Sequence, residues 1–98
     1  MKEKQLEIIN KLGLHARPAS LIVQTAMQFS SVIKIEKDEF SVDAKSIMGI
    51  MMLAAAKGTK LNFKIEGPDE NEAMNKMEEL FKNGFGEEIW WVFKTILS

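Results

Sequence analysis

Cysteine is absent from the 98 residues. Its absence removes disulfides, thiol nucleophiles and thiolate metal sites, and it suits a reducing cytoplasm, the location expected for this chain. Histidine occurs once, at position 15. One imidazole without any thiolate leaves no ligand set for a structural zinc site, and no cofactor is expected. A charge excess is missing as well: the net charge of −1 leaves no electrostatic footprint for nucleic acid. No apolar run reaches the roughly 18 residues that span a bilayer, and the charged start Met1-Lys2-Glu3-Lys4-Gln5 is no signal-peptide core. Neither nucleic acid nor stable membrane insertion is therefore expected. What is present is ordinary for a globular protein, with 46% hydrophobic and 28% charged residues, enough for one domain around one core.

Hydropathy periodicity divides the chain into seven elements. Residues 4–10 read as a strand with Leu6 and Ile8 on one face. Residues 11–14 form a loop around Gly13. A helix over residues 16–29 carries Ala16, Ala19, Ile22, Val23, Ala26 and Met27 as an apolar stripe, and Pro18 fits its first turn. Residues 32–37 and a short run around Phe40 and Val42 predict a hairpin. Ser46 stands where an N-cap is expected, before a short helix over residues 47–53. That helix is too apolar for one buried stripe, so part of it is expected at the surface. Residues 59–66 alternate strictly, Leu61, Phe63 and Ile65 against polar neighbours, which predicts antiparallel pairing with one wet face.

Asp69 with Glu72 fits a capping-box-like start for a last helix. Ala73, Met77 and Leu80 form its buried stripe, with Met74 and Phe81 beside it, and Asn83-Gly84 ends it. Met27, Met74 and Met77 are expected in the core. The order β-α-β-β-α-β-α predicts an α+β domain of two layers, a four-stranded antiparallel sheet with helices on one face.

The stretch Leu12-Gly13-Leu14-His15-Ala16-Arg17-Pro18-Ala19-Ser20 organises the chain chemically. It sets the one imidazole at a loop-to-helix junction, where first-turn N–H groups and the helix dipole favour an anion. Arg17 adds a cation whose fork suits phosphate oxygens. On these residues alone, a capping or merely exposed histidine is the favoured account of the position.

Two motifs separate these readings. Leu14-His15-Ala16-Arg17-Pro18-Ala19 resembles the active-site signature of the HPr family, the histidine-containing phosphocarriers of the bacterial phosphoenolpyruvate-dependent sugar phosphotransferase system. Lys45-Ser46-Ile47-Met48-Gly49-Ile50-Met51 resembles that family's regulatory serine motif in the form typical of low-GC Gram-positive bacteria. The resemblance runs over residues 1–88 and implies an open-faced β-sandwich with the same element order. It implies a carrier and not an enzyme: His15 takes a phosphoryl group on Nδ1 from phosphorylated enzyme I and hands it to enzyme IIA domains. Arg17 and the N–H of Ala16 would stabilise the group. Ser46 would be modified by HPr kinase/phosphorylase and would then recruit the catabolite control transcription factor. Ser20, Leu21, Ile47, Met48 and Met51 would form the docking patch, where methionine suits a surface that repacks for several partners.

Residues 89–98 depart from the family pattern, in which chains end near Glu87 or Glu88. The dense run Ile89-Trp90-Trp91-Val92-Phe93 holds both tryptophans. Three roles are open to it: covering apolar surface on its own domain, pairing with a second copy, or lying at a membrane interface. Rival functions fit less well. A regulatory paralogue of the same fold lacks the histidine that stands here. A nitrogen-related phosphocarrier keeps a histidine, but the style of the Ser46 motif argues against it. An enzyme using Ser20 and His15 lacks an orienting carboxylate in the motif.

Overall fold

The computed structural model describes residues 1–86, so the segment 89–98 lies outside the described residues. Its elements are β1 (Lys2–Glu7), α1 (Ala16–Ala26), β2 (Val32–Lys37), β3 (Phe40–Asp43), α2 (Ile47–Met52), β4 (Lys60–Glu66) and α3 (Glu70–Lys82), followed by a short 3-10 turn, Gly84–Gly86. The seven principal elements follow the predicted order. The four strands form one antiparallel sheet in the order β1-β4-β2-β3. The last strand is thus inserted between the first two, with Phe63 facing Lys4 on one side and Ile35 on the other.

Period-2 patterning sets which face is wet. Ile33, Ile35, Leu61, Phe63 and Ile65 are completely buried under the helices. The opposite face is polar: Lys64 pairs with Glu36 at 3.2 Å, and Asn62 donates to Glu3 at 2.8 Å. Lys4 occupies an inward register position, yet its ammonium escapes over α3 to Glu78 at 2.9 Å. A charged residue of this kind on an edge strand also discourages pairing with another chain. Phe63, Phe81 and Phe85 meet edge to face, with centroids 5.2 and 4.9 Å apart, and so tie β4, α3 and the terminal turn together.

Several local expectations are corrected. β1 begins and ends earlier than its hydropathy suggests, although Ile8 remains buried and still exchanges backbone hydrogen bonds with Gly58 and Thr59. α1 stops at Ala26, and its end tightens through the bonds Gln28 N to Thr25 O and Phe29 N to Ala26 O. Met27 therefore swings outward and is 65% exposed, not core. Ala16 is also exposed, and Pro18 takes its place in the buried stripe with Ala19, Ile22 and Ala26. Leu80 is only half-buried, while Ala73, Met74, Met77 and Phe81 form the inner face of α3.

Asp69 makes no side-chain cap on α3. Its carboxylate instead accepts from Ser30 N at 2.8 Å, Ser31 N at 3.0 Å and Ser31 Oγ, a bond between the start of α3 and the end of α1. Gly67 makes room for this clasp. It has φ of +153°, and a Cβ there would lie 2.6 Å from Ser31 Cα. The three donors, Ser31 Oγ foremost, hold the Asp69 carboxyl below its ordinary value of 3.8. A depressed carboxylate contributes stability above its unfolded pKa, and that contribution is lost as pH falls through the folded one. Asp69→Asn should therefore lower Tm at neutral pH, and the gap to the parent should close on acidification below about pH 4, as followed by thermal melts across pH.

Candidate functional site

His15 sits at the N-cap of α1 with extended backbone (φ −84°, ψ −172°) and half-buried. Its carbonyl accepts from Ala19 N at 3.1 Å and so starts the helix, while its side chain makes no cap hydrogen bond to that helix. The imidazole is therefore not committed to capping, which the sequence alone left open. The N–H groups of Ala16 and Arg17 open the first turn, where the helix offers no carbonyl four residues earlier. Pro18 has no N–H and so leaves no donor of its own in this turn.

The loop before His15 is fixed by backbone. Leu14, buried in the core, donates its N–H to Ala55 O at 2.9 Å. Gly13 has φ of +69°, and a Cβ there would approach Ala55 O to 2.6 Å and Ala56 Cα to 2.9 Å. Only glycine lets the two chains come this close. Asn10, fully buried, donates from Nδ2 to Gly13 O at 2.8 Å and holds the turn from inside. Sequence reasoning missed Asn10 and the Ala55 segment. A lone polar residue after an apolar strand was the available signal for the first, and nothing local signals the second.

Arg17 is exposed, and its Nη1 donates to Phe85 O at 3.0 Å. The guanidinium thus reaches the Gly84–Gly86 turn, where Phe85 is buried in a left-handed conformation (φ +58°). A cation at the carbonyl end of α3 complements the helix dipole. Arg17 is two residues from His15, so both side chains start from one helical turn.

Ser46 is the N-cap of α2, and its Oγ accepts from Gly49 N at 3.1 Å. The chain before it is an Asx-type turn, with Lys45 N donating to Asp43 Oδ1 at 2.8 Å. Lys37 and Lys45 then fix the surroundings by donating from Nζ to Leu53 O at 2.9 Å and Phe29 O at 3.0 Å. The structure places the predicted docking side chains unequally. Ile47, Met48 and Met51 are exposed on α2, whereas Ser20 and Leu21 are half-buried on α1, where Ser20 accepts from Gln24 at 3.2 Å. α1 packs directly on α2, so the two helices share one surface. Leu12, in the loop before His15, and Met52, on α2, are also exposed, at 71% and 72%. Among the described residues no His, Cys, Asp or Glu cluster has metal-binding form, and no helix is long and apolar enough to cross a membrane.

Comparison with known proteins gives a consistent set of likenesses. The family profile described as PTS HPr component phosphorylation site matches residues 2–83. The chain is 49% identical over 88 residues to the phosphocarrier protein HPr of Treponema pallidum, covering 90% of this chain and all of the relative. It is 53% identical over 77 residues to the HPr-like protein Crh of Halalkalibacterium halodurans, covering 79% and 92%. The crystal structure of HPr-C-His from Thermoanaerobacter tengcongensis superposes with a TM-score of 0.85 at 53% identity, covering 88% of this chain and 97% of that one.

The contact at Gly13 is testable on its own. Gly13→Ala should destabilise the fold by about 1–3 kcal/mol in urea denaturation, because the methyl group meets backbone that has no rotamer to yield. The ring resonances of His15 should move in the same variant.

Proposed function

The chain belongs to the HPr family of phosphocarriers, and from that premise we propose that His15 is its phosphoryl acceptor and donor. An imidazole ring nitrogen with its lone pair available is a nucleophile. Its Nδ1 lone pair forms the P–N bond while the bond to phosphorylated enzyme I breaks, and the electron pair of that bond stays with enzyme I. The second half-reaction reverses these roles toward an enzyme IIA domain. Phosphoryl transfer needs positioning and charge stabilisation above all. The N–H groups of Ala16 and Arg17 suit the first role. For the second, the guanidinium of Arg17 would exchange Phe85 O for phosphoryl oxygens, since a charged acceptor outcompetes a neutral carbonyl. The observation that carries this reading is the imidazole held at a helix N-cap without capping it. A shallow site at a helix end also serves two different partners in turn, which a deep pocket would not.

Ser20, Leu21, Ile47, Met48 and Met51 form the face to which those partners dock in this proposal. Ser46 lies at the edge of the same face. Phosphorylation of Ser46 by HPr kinase/phosphorylase would place about 1.5–2 negative charges at the N-terminus of α2, where the dipole accepts them without unfolding the helix. The added charge would weaken enzyme I docking and create a surface for the catabolite control transcription factor. The likeness to an HPr-like protein Crh supports such a use of this fold beyond phosphoryl carriage. A cytoplasmic location accords with these partners.

Incubation with phosphoenolpyruvate and enzyme I should add one acid-labile phosphoryl group, read by intact mass, and His15→Ala should take up none. A parent chain that gains no group would overturn the carrier reading. Arg17→Ala should slow transfer about tenfold or more, measured as single-turnover phosphorylation. Ser46→Asp should raise KM for the carrier in the enzyme I reaction while leaving the fold intact by circular dichroism.

A further inference from the structure

Among the described residues, two polar side chains belong to the buried interior, Asn10 and Ser31. Ser31 serves the clasp with Asp69. Asn10 stands at the head of the loop that leads to His15. Burying an amide costs free energy unless its hydrogen bonds are made, so its place requires a physical reason. Its Nδ2 donates to Gly13 O at 2.8 Å, and its own carbonyl accepts from Gly13 N at 3.2 Å. Asn10 and Gly13 thus hold each other at two points, and Lys11 and Leu12 between them are exposed.

The peptide unit between Gly13 and Leu14 is pinned on both sides. Its N–H, from Leu14, donates to Ala55 O at 2.9 Å, and its carbonyl, from Gly13, accepts from Asn10 Nδ2. The same carbonyl accepts from His15 N at 3.1 Å. One oxygen therefore joins the buried amide to the backbone of His15. The need for this tie follows from Gly13. The close approach of Ala55 O and Ala56 Cα admits only glycine there, and glycine has the backbone that turns most freely. Such freedom two places before a nucleophile is a liability, because a small displacement of the reacting atom slows transfer by a large factor. A single bond from Leu14 N leaves the peptide unit free to tilt about it. The Asn10 amide at the opposite edge removes that tilt.

We propose that Asn10 is a positioning residue for phosphoryl transfer: through Gly13 O it fixes the backbone of His15, and with it the direction in which the imidazole leaves the start of α1. This role rests on the carrier reading of His15 given above. Asn10 is fully buried and does not touch the phosphoryl group. The docking side chains Ser20, Leu21, Ile47, Met48 and Met51 belong to α1 and α2, outside this loop. Loss of the amide should therefore slow the chemical step and leave docking as it was.

Asn10→Leu keeps the volume of the side chain and removes the donor. In single-turnover transfer from phosphorylated enzyme I, its maximal rate should fall about tenfold or more, while the carrier concentration at half-maximal rate stays that of the parent. The ring resonances of His15 should move, with circular dichroism matching the parent. Ser31→Ala is the control for stability alone: it loses a bond to Asp69, should melt lower, and should keep the parent's maximal rate. If Asn10→Leu does not fold, Asn10→Ser carries the same test, since its hydroxyl stops one bond short of the Nδ2 position. An unchanged maximal rate overturns the proposal. So does an equal loss of rate in Ser31→Ala, which would make the effect one of stability. A raised half-saturating concentration at unchanged maximal rate overturns it too and assigns the loop to docking. The two readings fail separately. A parent chain that takes up no phosphoryl group removes the carrier reading, and the His15 resonances still decide whether Asn10 orients the ring. A phosphorylated parent, with unmoved rate and unmoved resonances in Asn10→Leu, removes the role of Asn10 alone.

Discussion

The insertion of β4 between β1 and β2 is the constraint on which the rest of the fold depends. Because β4 pairs with both neighbours, the first and second strands are held one strand apart, and α1 must cross that gap. The β1–β4 pairing continues past the regular strands through Ile8 with Gly58 and Thr59, and then through Leu14 with Ala55. This run of backbone bonds ends one residue before His15. The position of the imidazole is therefore an extension of the sheet, although the residue itself belongs to a helix. Backbone pairing is stiff, so the imidazole is held in one geometry.

α1 is anchored at both ends by groups far away in sequence. Its N-terminal turn is tied through Arg17 to Phe85, and the segment after its C-terminus is tied through Ser30 and Ser31 to Asp69. Lys45 adds a bond to Phe29 O, which links the approach to α2 with the same segment. His15 and the Ser46 cap thus sit on two packed helices whose ends are fixed independently.

The parts legible in the sequence were those governed by local periodicity. Strict alternation at Leu61, Phe63 and Ile65 and at Ile33 and Ile35 identified the buried face of the sheet, and the Ser46 cap was readable from residue type and place. Misreadings came where two physical explanations share one pattern. Asp69 followed by Glu72 fits a local cap, yet the arriving donors were Ser30 and Ser31, whose proximity is a product of topology. Met27 continued the period of α1 beyond the point where the backbone tightened and turned it outward. For the site, the residue types at His15 and Arg17 were plain, and two motifs identified the family. The attachment of Arg17 to a carbonyl 68 residues away was not legible, because it depends on where the last turn comes to rest.

The polar outer face of the sheet has a practical consequence. His15, Arg17, Ser46 and the apolar side chains of α2 all belong to the helical layer or its loops, while Glu3, Glu36, Asn62 and Lys64 face away behind the full thickness of the sheet. A dye, a surface tether or an isotope-labelled lysine adduct placed at Lys64 would therefore lie on the face opposite His15 and α2, and would leave that layer undisturbed.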